Sequence, residues 1–298
     1  MAVFSVETAL SAPFQVIRRK PLALPAWGLV YLLFGFAPST VISSRLEPVF
    51  LAQSLHPGSG DPQAFLDALT PIAAWLPLIW LSAFVTTAVI YGAVFRAVLT
   101  PDDDRFCYLR LSTREMWLAL TTFGLVIVLG LGFAVLTAVL SLVAANAPPI
   151  TSLLAVILTV VALVWLATRF SLSTVIAFAE KRFVFVDSWP LTRGHALTLF
   201  GVALAILVML MMGQIVLAIP LALGFDVNGV YDHIARDPAF LARNAPIIVV
   251  TAILIGLVGA VTHAILGAPW ASIYQQITGG GPPKRPAHSV GEAVPLDD

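Results

Sequence analysis

The chain has 298 residues, of which 59% are hydrophobic and 11% charged, with 16 basic against 16 acidic side chains. A soluble domain carries about 25% charged residues, and a mean hydropathy of +0.95 leaves more apolar surface than a water-soluble core can hide. Zero net charge supplies no global pull on nucleic acid, and a single cysteine, Cys107, excludes an intramolecular disulfide and a cysteine-built metal site.

Residues 1–20 contain no apolar run and end in Arg18, Arg19 and Lys20. The apolar stretch that follows is therefore read as a retained first span rather than a cleaved signal. A spanning helix needs about 20 apolar residues. Six stretches meet that requirement, at about 24–43, 71–95, 117–144, 150–176, 197–223 and 247–271. None alternates with period two, so a barrel is not expected and each segment is read as a helix that satisfies its own backbone. The predicted fold class is all-α: a polytopic membrane protein with six transmembrane helices. Asn146, Pro148 and Pro149 separate the third span from the fourth.

Charge sets the expected topology. Lys and Arg gather at 18–20, at Arg96, Arg105, Arg110 and Arg114, at Arg169, Lys181, Arg182 and Arg193, and at Lys284 and Arg285. The intervening segments 44–70, 145–149 and 224–246 are poor in bases and are expected outside. Both termini and Cys107 then face the cytoplasm. Trp27, Trp117, Trp189 and Trp270 fall near cytoplasmic span ends and Trp75 near an outer one, as interfacial anchors do. Trp80 and Trp165 lie deeper and are read as packing residues. Residues 278–298 are rich in Gly and Pro without an apolar period, and are expected to form a disordered cytoplasmic tail.

Each pair of spans follows a short segment of mixed character: ETALSAPFQVIRRKP, FCYLRLSTREMW and KRFVFVDSWPLTRGHA. Aromatic and aliphatic residues stand there at helical spacing beside a base. The segments are predicted as three cytoplasmic amphipathic interfacial helices, each opening a two-span hairpin. The pattern reads either as a threefold repeat or as the edges that cytoplasmic loops of membrane proteins share.

Residues 169–201, RFSLSTVIAFAEKRFVFVDSWPLTRGHALTLFG, carry a family resemblance. Arg169, Ser171, Leu172, Glu180, Ser188, Trp189, Leu191, Thr192, Arg193, Gly194 and Phe200 make this stretch similar to the membrane domain attached to some glycerophosphoryl diester phosphodiesterases. That domain also occurs as a stand-alone bacterial inner-membrane protein. The close match covers these 33 residues, and the six-span layout extends it loosely. Ser173 and Thr174 replace the proline of the family pattern, which puts a helix break there in doubt. The resemblance implies a multi-pass protein of the bacterial inner membrane and little about activity. The His-Arg-Gly opening and Glu-x-Asp metal pair of the phosphodiesterase barrel are not in this chain.

Few residues suggest chemistry. Arg169 sits near the inner edge of the hydrocarbon, where it snorkels to headgroups, pairs with a carboxylate or binds a ligand. On a continuous helix Glu180 would share its face, about three turns on. Thr192, Arg193 and His195 precede the fifth span and offer either a helix start or a lipid-phosphate contact. Asp187 is placed to cap the run from Ser188 or to pair with Arg193. Gln214 and His263 are the candidate intramembrane polar groups, with a hydrogen bond to a neighbouring helix expected of His263. The run from Asp226 resembles a calcium loop, but Gly229, Val230 and Asp237 stand where the motif needs other residues, so no metal is expected. Walker, zincin and nucleophile-elbow motifs are missing, and so are carboxylate pairs within spans. The expectation is a non-enzyme without cofactor: an accessory, scaffold or envelope-homeostasis protein. Its expected partners are membrane lipids and an unidentified protein partner, and nucleic acid is not among them. The other reading is a transporter or permease-like subunit for a lipid or small amphipath, which requires Arg169, Gln214 and His263 to converge.

Overall fold

A computed structural model describes residues 4–40, 75–103, 105–146, 149–222 and 239–279, with positions 63, 70 and 73. Most of the expected outer loops 44–70 and 224–246, the calcium-like run from Asp226 and the tail beyond 279 lie outside the described residues. Among those described, every regular element is helical, and six helices are long and apolar enough to cross a membrane.

Helix α1 (Val6–Arg19) starts at Ser5, whose hydroxyl accepts the Thr8 N–H at 3.2 Å. Its buried stripe of Ala9, Ala12 and Val16 is the apolar face of an amphipathic helix, as expected. Pro21 follows, and α2 (Ala23–Val30) begins the first long apolar helix. That helix widens into a π-helical stretch at Tyr31–Phe36 and continues to Thr40. Helix α3 (Leu76–Leu99) is stopped by Thr100 and Pro101. Helix α4 (Thr113–Asn146) and helix α5 (Pro149–Phe170) meet at the expected break, where Pro149 takes a helix-start position. Two short helices follow, α6 (Ser173–Glu180) and α7 (Ser188–Thr192). Helix α8 (Ala196–Ala222) and helix α9 (Ala239–Thr278) complete the set.

Four expectations change. The fourth apolar stretch, Leu153–Glu180, is not one continuous helix: it breaks after Phe170, and α6 is separate. No proline causes this. Thr168 and Ser171 donate their hydroxyls back to the carbonyls of Trp165 and Thr168 at 2.7 and 2.8 Å, local bonds that compete with the helix ladder. Ser173 and Ser188 tie the same corner to Phe185 and Arg169 carbonyls. Second, two of the three segments expected as interfacial helices fold otherwise. Residues Arg105–Tyr108 form a tight turn with Phe106, Cys107 and Tyr108 at φ of 52°, 57° and 66°. Residues 181–187 are non-helical, leaving only the five-residue α7. Third, Trp27 is buried rather than an interfacial anchor, and its indole N–H donates to the Cys107 carbonyl at 2.9 Å. Trp80, expected to pack, is 56% exposed, while Trp165 is 45% exposed and packs edge-on against Trp189. Fourth, the sixth apolar helix is longer than expected, starting at Ala239.

Helix α9 packs against α1, α2, α3 and α8; α3 meets α4, α4 meets α5, and α5 meets α8. The long helices thus close a ring, and α6 plugs it, touching α3, α4 and α9. Leu172, Val175, Ile176, Ala177 and Phe178 of the plug are sealed from solvent. The core gathers at this end, where the C-terminal halves of α3 and α9 meet the starts of α4 and α8. We refer to it as the basic end, because the arginine clusters lie there. Further along, α4, α5 and α8 turn Leu131, Phe133, Leu153, Leu158, Leu207 and Met211 outward.

Candidate functional site

The charged groups of the basic end meet where α3 stops and α4 starts. Arg96 lies in the last turn of α3 and is 3% exposed; Glu115 lies in the first turn of α4 and is 1% exposed. The Arg96 Nη2 and Glu115 Oε1 form an ion pair, and Arg96 Nη1 donates to the Tyr108 carbonyl at 2.6 Å. The other Glu115 oxygen accepts the Ser112 N–H at 2.9 Å and the Ser112 hydroxyl. Ser112 in turn accepts the Arg114 N–H at 3.3 Å. Ser112 and Glu115 therefore cap α4 reciprocally, with a carboxylate beside the positive end of the helix dipole. Both ions are compensated, which a buried pair needs to be tolerated.

Gly92 makes room for this carboxylate. A Cβ on Gly92 would stand 2.7 Å from the Glu115 Cγ, closer than carbon atoms approach. Below the pair lies the plug. The guanidinium carbons of Arg96 and Arg114 stand 5.8 and 5.7 Å from the Phe178 ring centroid, within cation–π range.

The left-handed turn completes the wall. Non-glycine residues in this conformation cost roughly 1–2 kcal/mol each. Two of its carbonyls are held by buried donors, that of Cys107 by Trp27 and that of Tyr108 by Arg96. The Tyr108 hydroxyl donates to the Pro101 carbonyl at 3.0 Å. Together these elements enclose a cleft of about 520 Å³ lined by Arg96, Thr100, Asp103, Arg110, Ser112 and Arg114. Arg110 pairs with Asp103 at 2.7 Å, and both are partly exposed. Among the described residues no carboxylate pairs with Arg114. Three guanidiniums against Asp103 and Glu115 leave one positive charge uncompensated, at the N-terminus of a long helix.

The residues singled out from sequence lie elsewhere. Arg169 donates to the Thr192 hydroxyl at 3.4 Å and stacks over Trp165 at 5.4 Å, and Trp165 meets Trp189 edge-on at 5.7 Å. Its Nε is buried and finds no partner among the described residues. Arg169 is thus brought to Thr192 but not to Glu180, which the helix break puts on α6. Glu180 and Asp187 both pair with Arg182, the former at 2.7 Å. Partial burial opposes the charge on Arg182, and the two carboxylates outweigh it, raising its pKa above the usual arginine value. Asp187 occupies the N-cap position of α7 without a side-chain cap bond, and it pairs with Arg182 rather than Arg193. Arg193 is exposed, and His195 faces Phe4 edge-on at 5.6 Å, so neither joins the Arg169–Thr192 contact.

Gln214 lies on an exposed face of α8. His263 on α9 donates Nδ1–H to the Gly259 carbonyl of its own helix at 2.7 Å, not to a neighbour. Its ring lies between Tyr31 and Tyr91, with centroids 5.4 and 5.3 Å away. Arg169, Gln214 and His263 share no partner among the described residues.

The buried Arg96–Glu115 pair is therefore the feature that sequence reading missed. Comparison with family models, with curated proteins and with solved structures finds no match.

Proposed function

We propose that the chain is a non-catalytic integral membrane protein of the bacterial inner membrane, an accessory, scaffold or envelope-homeostasis component. In this reading it holds anionic lipid headgroups at the cytoplasmic face. The observation that carries the reading is the α3–α4 cleft. Arg110 and Arg114 line one concavity at the end of an apolar bundle, beside the buried Arg96–Glu115 pair, and no carboxylate pairs with Arg114 among the described residues. Arginine presents planar, charged donors that match phosphate oxygens. In this reading the headgroup contact, expected at Arg169, Thr192, Arg193 and His195, lies instead between α3 and α4.

A transport path through Arg169, Gln214 and His263 is not part of the proposal. Those residues stand on three helices, and the outermost, Gln214, is exposed.

Native mass spectrometry of the detergent-purified chain tests the reading, with equal phosphatidylglycerol and phosphatidylcholine supplied. The expected result is preferential retention of phosphatidylglycerol. Replacing Arg110 and Arg114 by Gln should reduce that preference about tenfold, the loss of one to two charge-assisted hydrogen bonds. Equal retention of the two lipids by the unaltered chain would remove headgroup recognition from the proposal.

A further inference from the structure

The basic cleft is the first of three clefts in a row along α3 and α4. Leu111 and Ser112 line both it and a second cleft of about 470 Å³, which runs beside Ala88, Met116 and Ala119. Phe84 in turn lines that cleft and a third of about 390 Å³, walled by Trp80, Ala83 and Phe123. The three form a row of clefts along α3 and α4, each sharing lining residues with the next. The polarity changes along the row: charged where the helices meet at the basic end, and almost wholly apolar from Met116 to Trp80.

Length and openness are both informative. From Arg96 to Trp80 is sixteen residues of one helix, about 24 Å at 1.5 Å per residue. Half of a bilayer's hydrocarbon is about 15 Å deep. The row of clefts therefore accommodates an extended acyl chain of one leaflet, with its phosphate at the arginines. Trp80, Leu81, Phe123 and Val126 are all more than 40% exposed, so the apolar part opens outward and a chain enters from the side.

We propose that the α3–α4 groove binds one anionic phospholipid as a resident ligand, with the phosphate in the arginine cleft and one acyl chain laid between α3 and α4 toward Trp80. This rests on the headgroup reading and adds the apolar half of the ligand to it. Charge complementarity at one end and apolar walls at the other commit the site to an anionic two-part amphipath. A free phosphate would use the cleft and leave the groove empty. A protein helix would leave the arginines without an anion.

The test uses the full chain in nanodiscs of phosphatidylcholine, doped with phosphatidylglycerol that carries a photoreactive diazirine in its acyl chain. Cross-linked peptides are mapped by mass spectrometry. Labelling is expected to concentrate on 80–88 of α3 and 116–126 of α4, and the same probe on phosphatidylcholine should not concentrate there. Ala83 is exposed and small, so Ala83→Phe fills the groove without disturbing the core. It should lower this labelling about tenfold, about 1.4 kcal/mol of lost apolar contact. Preserved preference for phosphatidylglycerol, with labelling spread evenly over the apolar faces of α4, α5 and α8, overturns the groove and leaves the headgroup reading intact. Equal labelling of the groove by both lipids also overturns it, by making its occupant bulk lipid. Loss of phosphatidylglycerol preference in the unaltered chain overturns both. Displacement of phosphatidylglycerol by millimolar inorganic phosphate, with the groove unlabelled, assigns the cleft to free phosphate instead.

Discussion

Arg96 and Glu115 are bound to each other's fate. With both present, each charge has a counter-charge, Arg96 also donates to the Tyr108 carbonyl, and Glu115 also accepts from Ser112. Remove one charge and the other stays buried without compensation, which costs roughly 3–5 kcal/mol. Glu115→Gln keeps the shape and an acceptor for the Ser112 cap while discarding the charge. It should lower the thermal unfolding midpoint in detergent by the equivalent of about 3 kcal/mol. Replacing the pair together by Met and Leu should recover most of that loss, because a well-packed apolar substitute spares the desolvation of both ions. If the double replacement proves as unstable as the single one, the charge pair is not what the site depends on. Part of this arrangement is written in the sequence. Ser112 and Glu115 stand three apart before an apolar run, the spacing of a capping box. The meeting of that carboxylate with Arg96 is not, because it depends on Gly92 of another helix leaving a hole where a Cβ would be. Arg96 had an adequate explanation as a topology marker, and charge counting offers no reason to look further.

At the scale of elements, helix number was legible and helix corners were not. Six apolar runs of bilayer length predict six helices, because length and hydropathy decide that question. The corner at 171–172 depends on hydroxyls bonding backward and on Ser173 and Ser188 finding distant carbonyls, none of which has a periodic signature. The close approach of α2 to α9 is similarly tertiary. A Cβ on Gly28 would stand 2.8 Å from the backbone carbon of Gly256, and one on Gly256 would stand 2.9 Å from the Leu32 side chain. Small residues let apolar helices touch along their backbones, which supplies van der Waals contact where water exclusion does not. Gly28→Ala should therefore cost about 1–3 kcal/mol through overpacking. Gly130, in α4, has nothing within 4 Å of its Cβ position. Gly130→Ala should instead stabilise by up to about 1 kcal/mol through helix propensity. Tryptophan-monitored melting in one detergent compares the two, and equal effects would mean that the α2–α9 approach is not tight.

Across the whole molecule, packing is unevenly distributed. The residues sealed from solvent collect around the plug and the basic end, while the middle and far parts of α4, α5 and α8 show large apolar side chains outward. Local stability follows local burial. Hydrogen exchange of the detergent-solubilised chain should therefore be slowest in peptides covering 172–178 and 264–274, and faster in 131–142 and 153–161. Uniform exchange along α4 would contradict a core concentrated at one end.

The amide of Ser5 donates to the side-chain oxygen of Gln276 at 2.7 Å, across a separation of 271 residues. Helix α1 lies along the same part of α9, which also supplies Ala264, Ala268 and Ala271 to the core. The consequence concerns time rather than energy. A ribosome adding about 5–20 residues per second takes on the order of 10–50 s to make the chain between these two groups. Throughout that interval the amphipathic face of α1 exists without the helix it packs against, and five of the six candidate spans are made before α9. A nascent chain must therefore park α1 somewhere provisional, on a bilayer surface or a chaperone, and the fold is locked only when this early segment meets one made 271 residues later.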